Sequence, residues 1–142
     1  MKEAEQLFTK VRKAWHEGNA RNFATCFAND GTLIAFDGTF VKGKQAIFTY
    51  AQRLFAAEED QTYQSVLVET QLLTANVVLM RCHTGKIKRE TGRISRERLA
   101  YLTLIMQKKA VWEVVLMQYT PAHFDTPGQR TAFRYELEES LD

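Results

Sequence analysis

Arg81 and His83 stand two residues apart in the run VLMRCHTG, whose composition is that of a β-strand. Side chains two apart on a strand project to the same face, so a guanidinium and an imidazole sit side by side there. Such a pair can polarise a carbonyl, hold a carboxylate or tune a proton-transfer group. Cys82 points to the opposite face, so Cys82 and His83 form neither a catalytic nor a metal-binding pair. Inside a pocket, Arg81 or His83 is the candidate catalytic, polarising group. Outside one, the pair belongs to a rim or an interface, and the sequence leaves the choice of face open.

Two carboxylates invite the same question. In FANDGTLIAFDG, Asp30 and Asp37 each precede a glycine. Asn-Asp-Gly and Asp-Gly tolerate left-handed geometry and form turns, and a carboxylate there commonly bonds backbone amides. A structural role is expected for both.

A third set supplies walls rather than reactive groups. Tyr101, Thr103, Leu116 and Gln118 share a face if the turn at Lys108–Ala110 is two residues long. Odd-numbered residues of one strand then face even-numbered residues of the next, and Trp112 joins them. With Trp15, Phe36, Phe40 and Tyr50 they are the candidate ligand-binding residues: apolar surfaces with a few orienting groups, Tyr101 and Gln118 foremost. Phe55 could join that wall. Lys86, Lys88, Arg89, Arg93, Arg96 and Arg98 cluster around one hairpin and read as a solvated tip, which argues against a nucleic-acid surface. His16, His83 and His123 lack metal-ligand spacing, so no metal site is expected. No glycine-rich phosphate loop or nucleophile elbow is present.

These residues ride on two kinds of element. Leu7, Phe8, Val11, Ala14 and Trp15 fall at helical spacing over residues 3–16, closed by Gly18. A short helix is expected over 20–28, capped by Asn19 and broken by Asn29-Asp30-Gly31. Short strands follow at Thr32–Phe36 and Phe40-Val41. A third helix carries Ala46, Ile47, Tyr50, Ala51, Leu54 and Phe55 on one face. The acids Glu58-Glu59-Asp60 should lie past its last turn, because carboxylates oppose the negative end of a helix dipole. Four strands come next, at Gln64–Leu73, Asn76–Lys88, Ile94–Gln107 and Val111–Thr120, separated by breaks that only antiparallel neighbours can use. Thr126-Pro127-Gly128-Gln129 then opens an amphipathic tail helix with Phe133, Leu137 and Leu141 on one stripe.

Helices followed by strands indicate an α+β domain. Its 142 residues are one ordinary domain, with 45% apolar residues and a net charge of +2 that argues for neither nucleic acid nor membrane. The charged first residues lack the apolar core of a signal peptide, and Cys26 and Cys82, whose spacing fits neither a zinc nor a redox motif, read as buried thiols, which together point to a cytoplasmic location. Both faces of the long strands are largely apolar, while the helices can cover only one. A homodimer through the sheet face is the expected solution, with the tail folded over the sheet as the alternative.

The order of elements resembles the nuclear transport factor 2-like (cystatin-like) superfamily. Trp15-His16-Glu17-Gly18-Asn19, FATCFAND at 23–30 and Gly43-Lys44-Gln45-Ala46-Ile47 are similar to its helix boundaries. Trp112 to Thr120, WEVVLMQYT, is similar to the Trp…Gln-x-Thr ending of the SgcJ/EcaC branch, related to SnoaL-like proteins. The resemblance implies a cone of about three helices on a curved antiparallel β-sheet over residues 1–121, followed by a C-terminal helical tail at 122–142. Ketosteroid isomerases of that superfamily carry a carboxylate base in the first strand and an oxyanion-donating tyrosine in the first helix. Those positions fall at Ala35 and near Val11 here, and a methyl group cannot move a proton. The resemblance thus implies a small-molecule binding or catalytic domain holding an apolar ligand with a polar group, without ketosteroid-isomerase chemistry. The branch carries an oxidoreductase label, yet no nicotinamide or flavin signature accompanies it and no cofactor is expected. A non-catalytic homodimerisation or partner-binding module is the alternative.

Overall fold

The apolar stripe of the first helix is used in full. In the computed structural model, which describes residues 2–141, α1 (Lys2–Glu17) buries Ala4, Leu7, Phe8, Val11, Ala14 and Trp15. Gly18, at a φ of 70°, turns the chain into α2 (Ala20–Thr25), where Asn19 caps by accepting from the Asn22 amide. After β1 (Phe27–Ile34) and β2 (Phe40–Lys42) comes α3 (Lys44–Ala57). Glu58 takes the C-cap of α3, so the three acids do lie past its last turn.

β1 starts five residues before the expected strand, and α2 stops at Thr25 instead of residue 28. The reason is tertiary. Phe27 pairs with Val114 of the closing strand, and Asn29-Asp30-Gly31 becomes an irregular stretch inside β1 rather than a helix-breaking turn. Gly31 is required by close approach: a Cβ there would sit 3.1 Å from both the Ala28 and Val114 carbonyl oxygens.

β3 (Gln61–Thr74), β4 (Val77–Lys88), β5 (Ala100–Lys108) and β6 (Trp112–Pro121) form the expected meander. β1 and β2 extend it to six strands in the order β2-β1-β6-β5-β4-β3. β1 runs parallel to β6, which makes the sheet mixed; its other neighbours pair antiparallel. β5 begins at Ala100 rather than Ile94, because residues 96–98 form a single 3-10 turn.

Each strand alternates between two environments. Val78, Met80 and Cys82 of β4, Leu102, Leu104 and Met106 of β5, and Val114, Met117 and Tyr119 of β6 pack with α1–α3 in the main core. The opposite face is covered at one end by α4 (Pro127–Glu139), whose Phe133 and Leu137 join Ile87, Ile94, Leu99 and Ala122 in a second cluster. Thr126 caps α4 by accepting from the Gln129 amide at 3.3 Å, with Pro127 in the first turn. None of the described helices is long and apolar enough to cross a membrane.

Gly31→Ala should lower the unfolding free energy by about 1–3 kcal/mol, because the neighbouring atoms are backbone oxygens that cannot turn aside. Urea denaturation measures this; a loss below about 0.5 kcal/mol would mean that β1 relaxes around the methyl group.

Candidate functional site

Between the C-terminal ends of α1 and α3 and the sheet, the main core opens into a cavity of about 140 Å³. Each wall has a local cause. Trp15 is the last apolar residue of the α1 stripe, and Tyr50 and Leu54 continue the inward face of α3. Leu33 and Ala35 end β1 and lead into the Phe36-Asp37 turn. Tyr63 opens β3, Thr84 and Lys86 carry the inward row of β4 past the last helix, and Tyr119 does the same on β6. Arg98 enters from the 3-10 turn, its guanidinium 4.5 Å from the centre of the Phe36 ring.

Lys86 is only 4% exposed. Its ammonium contacts Glu58 Oε2, which also accepts from the Tyr63 hydroxyl at 3.1 Å. Arg98 Nη2 lies 3.9 Å from Glu58 Oε1. Burial and then the Arg98 charge push the Lys86 ammonium down to about 8, while the Glu58 carboxylate that it touches pulls the other way. Burial raises the hydroxyls of Tyr50, Tyr63 and Tyr119 above the usual tyrosine range, so all three stay protonated and can donate.

Three cavity-lining groups have a buried polar atom with no hydrogen-bond partner among the described residues: Trp15 Nε1, Arg98 Nε and the Tyr119 hydroxyl. Trp15 is 4% and Tyr119 9% exposed. An unpaired buried polar group costs about 1–3 kcal/mol.

The residues singled out from sequence divide. Trp15, Phe36 and Tyr50 line the cavity, and Ala35 forms part of its wall. Val11 lies in the core outside it. Phe55 packs edge-on against Trp15 behind the wall, ring centres 5.0 Å apart. Phe40 is 64% exposed on β2. Tyr101, Thr103, Leu116 and Gln118 do share a face, but it is the one turned away from the cavity, beside Arg81 and His83. The hairpin tip spans residues 109–111, and an extra residue, Val115, restores the odd-to-even pairing deeper in the strands. That bulge also puts Trp112 on the helix side, against the main core, apart from the other four.

Arg81 and His83 therefore do not reach the cavity. Arg81 pairs with Glu69 in solvent. His83 lies beneath α4, stacked on Phe133 with ring centres 4.2 Å apart and Nδ1 2.8 Å from Glu136 Oε1. Asp37 Oδ1 accepts from the Thr39 amide and hydroxyl, which holds its carboxyl below the usual range. It closes a turn at the cavity rim, whereas Asp30 is exposed on β1.

Glu58, Tyr63, Lys86, Arg98 and Tyr119 were not among the candidates. One signal was present. Lys86 stands at even spacing from Met80, Cys82 and Thr84, and so falls on the inward row.

Solved structures share this architecture over most of the chain. A domain of unknown function from Nostoc punctiforme, with a cystatin-like fold, superposes with a TM-score of 0.78 at 18% identity, covering 97% of this chain and 93% of its own. The chain has the cystatin-like, NTF2-like fold. An NTF2-like protein from Novosphingobium aromaticivorans matches at a TM-score of 0.67 and 17% identity, over 93% of this chain and 86% of its own. A ketosteroid isomerase-like protein from Erwinia carotovora atroseptica matches at 0.67 and 15% identity, over 86% and 95%. No protein-family model and no curated protein matches the chain. At such identities the NTF2-like fold is what is shared, and chemistry has to be argued from the side chains.

Glu58→Gln should cost roughly 3 kcal/mol near neutral pH, because it leaves Lys86 buried without its counter-charge. The sign of its pH dependence follows from the lysine, displaced to about 8 from its ordinary 10.5. That value holds with Glu58 present; without Glu58 the folded lysine gives up its proton at still lower pH, so the variant's deficit relative to the parent should shrink as pH rises through about 8. Urea titrations at about pH 7 and about pH 10 test this; a deficit that stays constant would remove Lys86 from the account.

Proposed function

We propose that this chain is a small-molecule binding domain of the SgcJ/EcaC, SnoaL-like type, with its ligand in the cavity between α1, α3 and the sheet. The observation that carries the reading is the meeting of the apolar walls Leu33, Ala35 and Leu54 with Lys86 and Arg98 in one cavity. The size fits one ring: a cavity of about 150 Å³ with apolar walls is known to hold benzene. The closing strand on which the SgcJ/EcaC resemblance rests is also the strand that carries Tyr119 into the cavity. With Ala35 on the wall where ketosteroid isomerases place their base, binding is the better supported role.

A homodimer through the outer sheet face accompanies this reading. Leu79, Ile105 and Leu116 are apolar and only half-buried there, and α4 covers the His83 end alone. A second copy would bury them.

Toluene should bind saturably and shift the methyl resonances of Leu33 and Leu54, and Ala35→Trp should abolish that shift by filling the space. Absence of any saturable shift would defeat the pocket reading. Native mass spectrometry should show twice the 16.4 kDa chain mass, and Ile105→Lys should return it to the monomer. A monomeric parent would defeat the dimer alone.

A further inference from the structure

We propose that Lys86 is a covalent anchor in this cavity, where its amine condenses with a small apolar aldehyde and Glu58 carries the protons. The proposal rests on the small-molecule reading above and names its ligand class.

The surroundings of Lys86 are those that make an amine react. Its side chain is 5% exposed and its ammonium contacts Glu58 Oε2, with both residues on the cavity wall. A buried charge is costly, and Arg98 brings a second cation within 3.9 Å of the same carboxylate. Burial and Arg98 leave the amine at about 8, so a substantial share of it is neutral at about pH 7.5. A neutral, desolvated lysine amine is a nucleophile toward carbonyl carbon. Other groups fall short. Cys26 and Cys82 lie in the core outside the cavity. The Tyr63 hydroxyl also reaches Glu58, but burial raises it above the usual tyrosine range. The Thr84 hydroxyl gives its hydrogen to the Ala100 carbonyl. The rim carboxylate of Asp37 is held by Thr39, which leaves Glu58 as the base in contact with the amine.

The condensation balances with these groups alone. Glu58 takes a proton from the ammonium, and the freed nitrogen lone pair attacks the aldehyde carbon. The C–N bond forms as the carbonyl electrons move to oxygen, which takes the proton from Glu58. Glu58 then removes a second proton from nitrogen and delivers it to the new hydroxyl. The C–O bond breaks, water leaves and the C=N bond forms. One ammonium and one aldehyde become one iminium and one water, with no change of charge and no redox partner. The iminium keeps Glu58 as its counter-ion, so the ion pair between the end of α3 and the sheet survives. An acyl donor would instead leave a neutral amide and a carboxylate stripped of its cation, which favours carbonyl over acyl chemistry. Leu33, Ala35 and Leu54 meet the rest of the aldehyde with apolar surface, and the space of about 140 Å³ limits it to about one ring.

The test is reductive trapping with benzaldehyde and sodium cyanoborohydride at about pH 7.5, the benzylated sites being mapped by peptide mass spectrometry. Lys86 should be labelled at least about tenfold faster than any of the other lysines, because roughly 200-fold more of it is neutral than of a lysine at the ordinary 10.5. Excess toluene should suppress labelling of Lys86 at least about fivefold, by competing for the same space, and leave the exposed lysines unaffected. Glu58→Gln, once circular dichroism shows it folded, should slow trapping at Lys86 at least about tenfold. If toluene saturates while Lys86 is labelled no faster than the exposed lysines, or if toluene leaves its labelling unchanged, the covalent assignment is overturned and the small-molecule site survives. If toluene does not saturate and Lys86 stays unlabelled, the site itself fails and the assignment with it.

Discussion

The inward row of β4 is longer than the helices can cover with apolar surface, and much of this molecule follows from that mismatch. Val78, Met80 and Cys82 lie under α1–α3, and two residues further Thr84 gives its hydroxyl hydrogen to the Ala100 carbonyl. The next inward position is Lys86. An ammonium taken out of water is tolerated only beside an opposite charge. The end of α3 supplies one: Glu58 sits at the C-cap, clear of the helical carbonyls, and reaches Lys86 and Tyr63 together. One ion pair thus ties the end of α3 to the sheet. It also keeps the cavity polar at one side, where a row of leucines would have closed it.

Two irregularities decide which side chains join that row. In β6 the extra residue Val115 separates Trp112, directed to the core, from Leu116 and Gln118 on the outer face. The same step leaves Met117 and Tyr119 pointing inward. In β1 the irregular stretch between Phe27 and Thr32 lets one strand pair with β6 at both ends while Gly31 passes close to the Val114 carbonyl. Without that pairing Ala35 and Phe36 would have no fixed place beside Arg98. The site is therefore a product of strand register as much as of residue type.

This also explains what the sequence could and could not disclose. Elements with a local cause were legible: the α1 stripe, the Asn19 and Thr126 caps, the four-strand meander and the acids placed beyond α3. Trp15, Phe36 and Tyr50 were legible as wall residues because apolar aromatics on inward faces have few other destinations. The parallel partner of β1 was not, since nothing local distinguishes FANDG in a turn from FANDG in a bulged strand. Arg81 and His83 drew attention as chemical types, yet an odd position on β4 sends both outward. Lys86 and Arg98 looked like part of a solvated basic tip. Their neighbours Lys88, Arg89, Arg93 and Arg96 are indeed exposed, and only register and the 3-10 turn separate the two that are not.

The donors around the cavity come from elements that have independent reasons to be where they are. Trp15 anchors α1 through contacts with Phe23, Phe55 and Tyr63. Arg98 rests on Phe36, and Tyr119 closes the inner row of β6. Protein contacts alone therefore hold these side chains in place. The structural neighbours share the NTF2-like frame with under a fifth of the residues in common. Fold similarity at such identities leaves the chemistry to individual side chains, such as those at positions 35 and 98 on the cavity wall. On that wall this chain has a neutral methyl at Ala35 and a buried ammonium at Lys86, paired with Glu58.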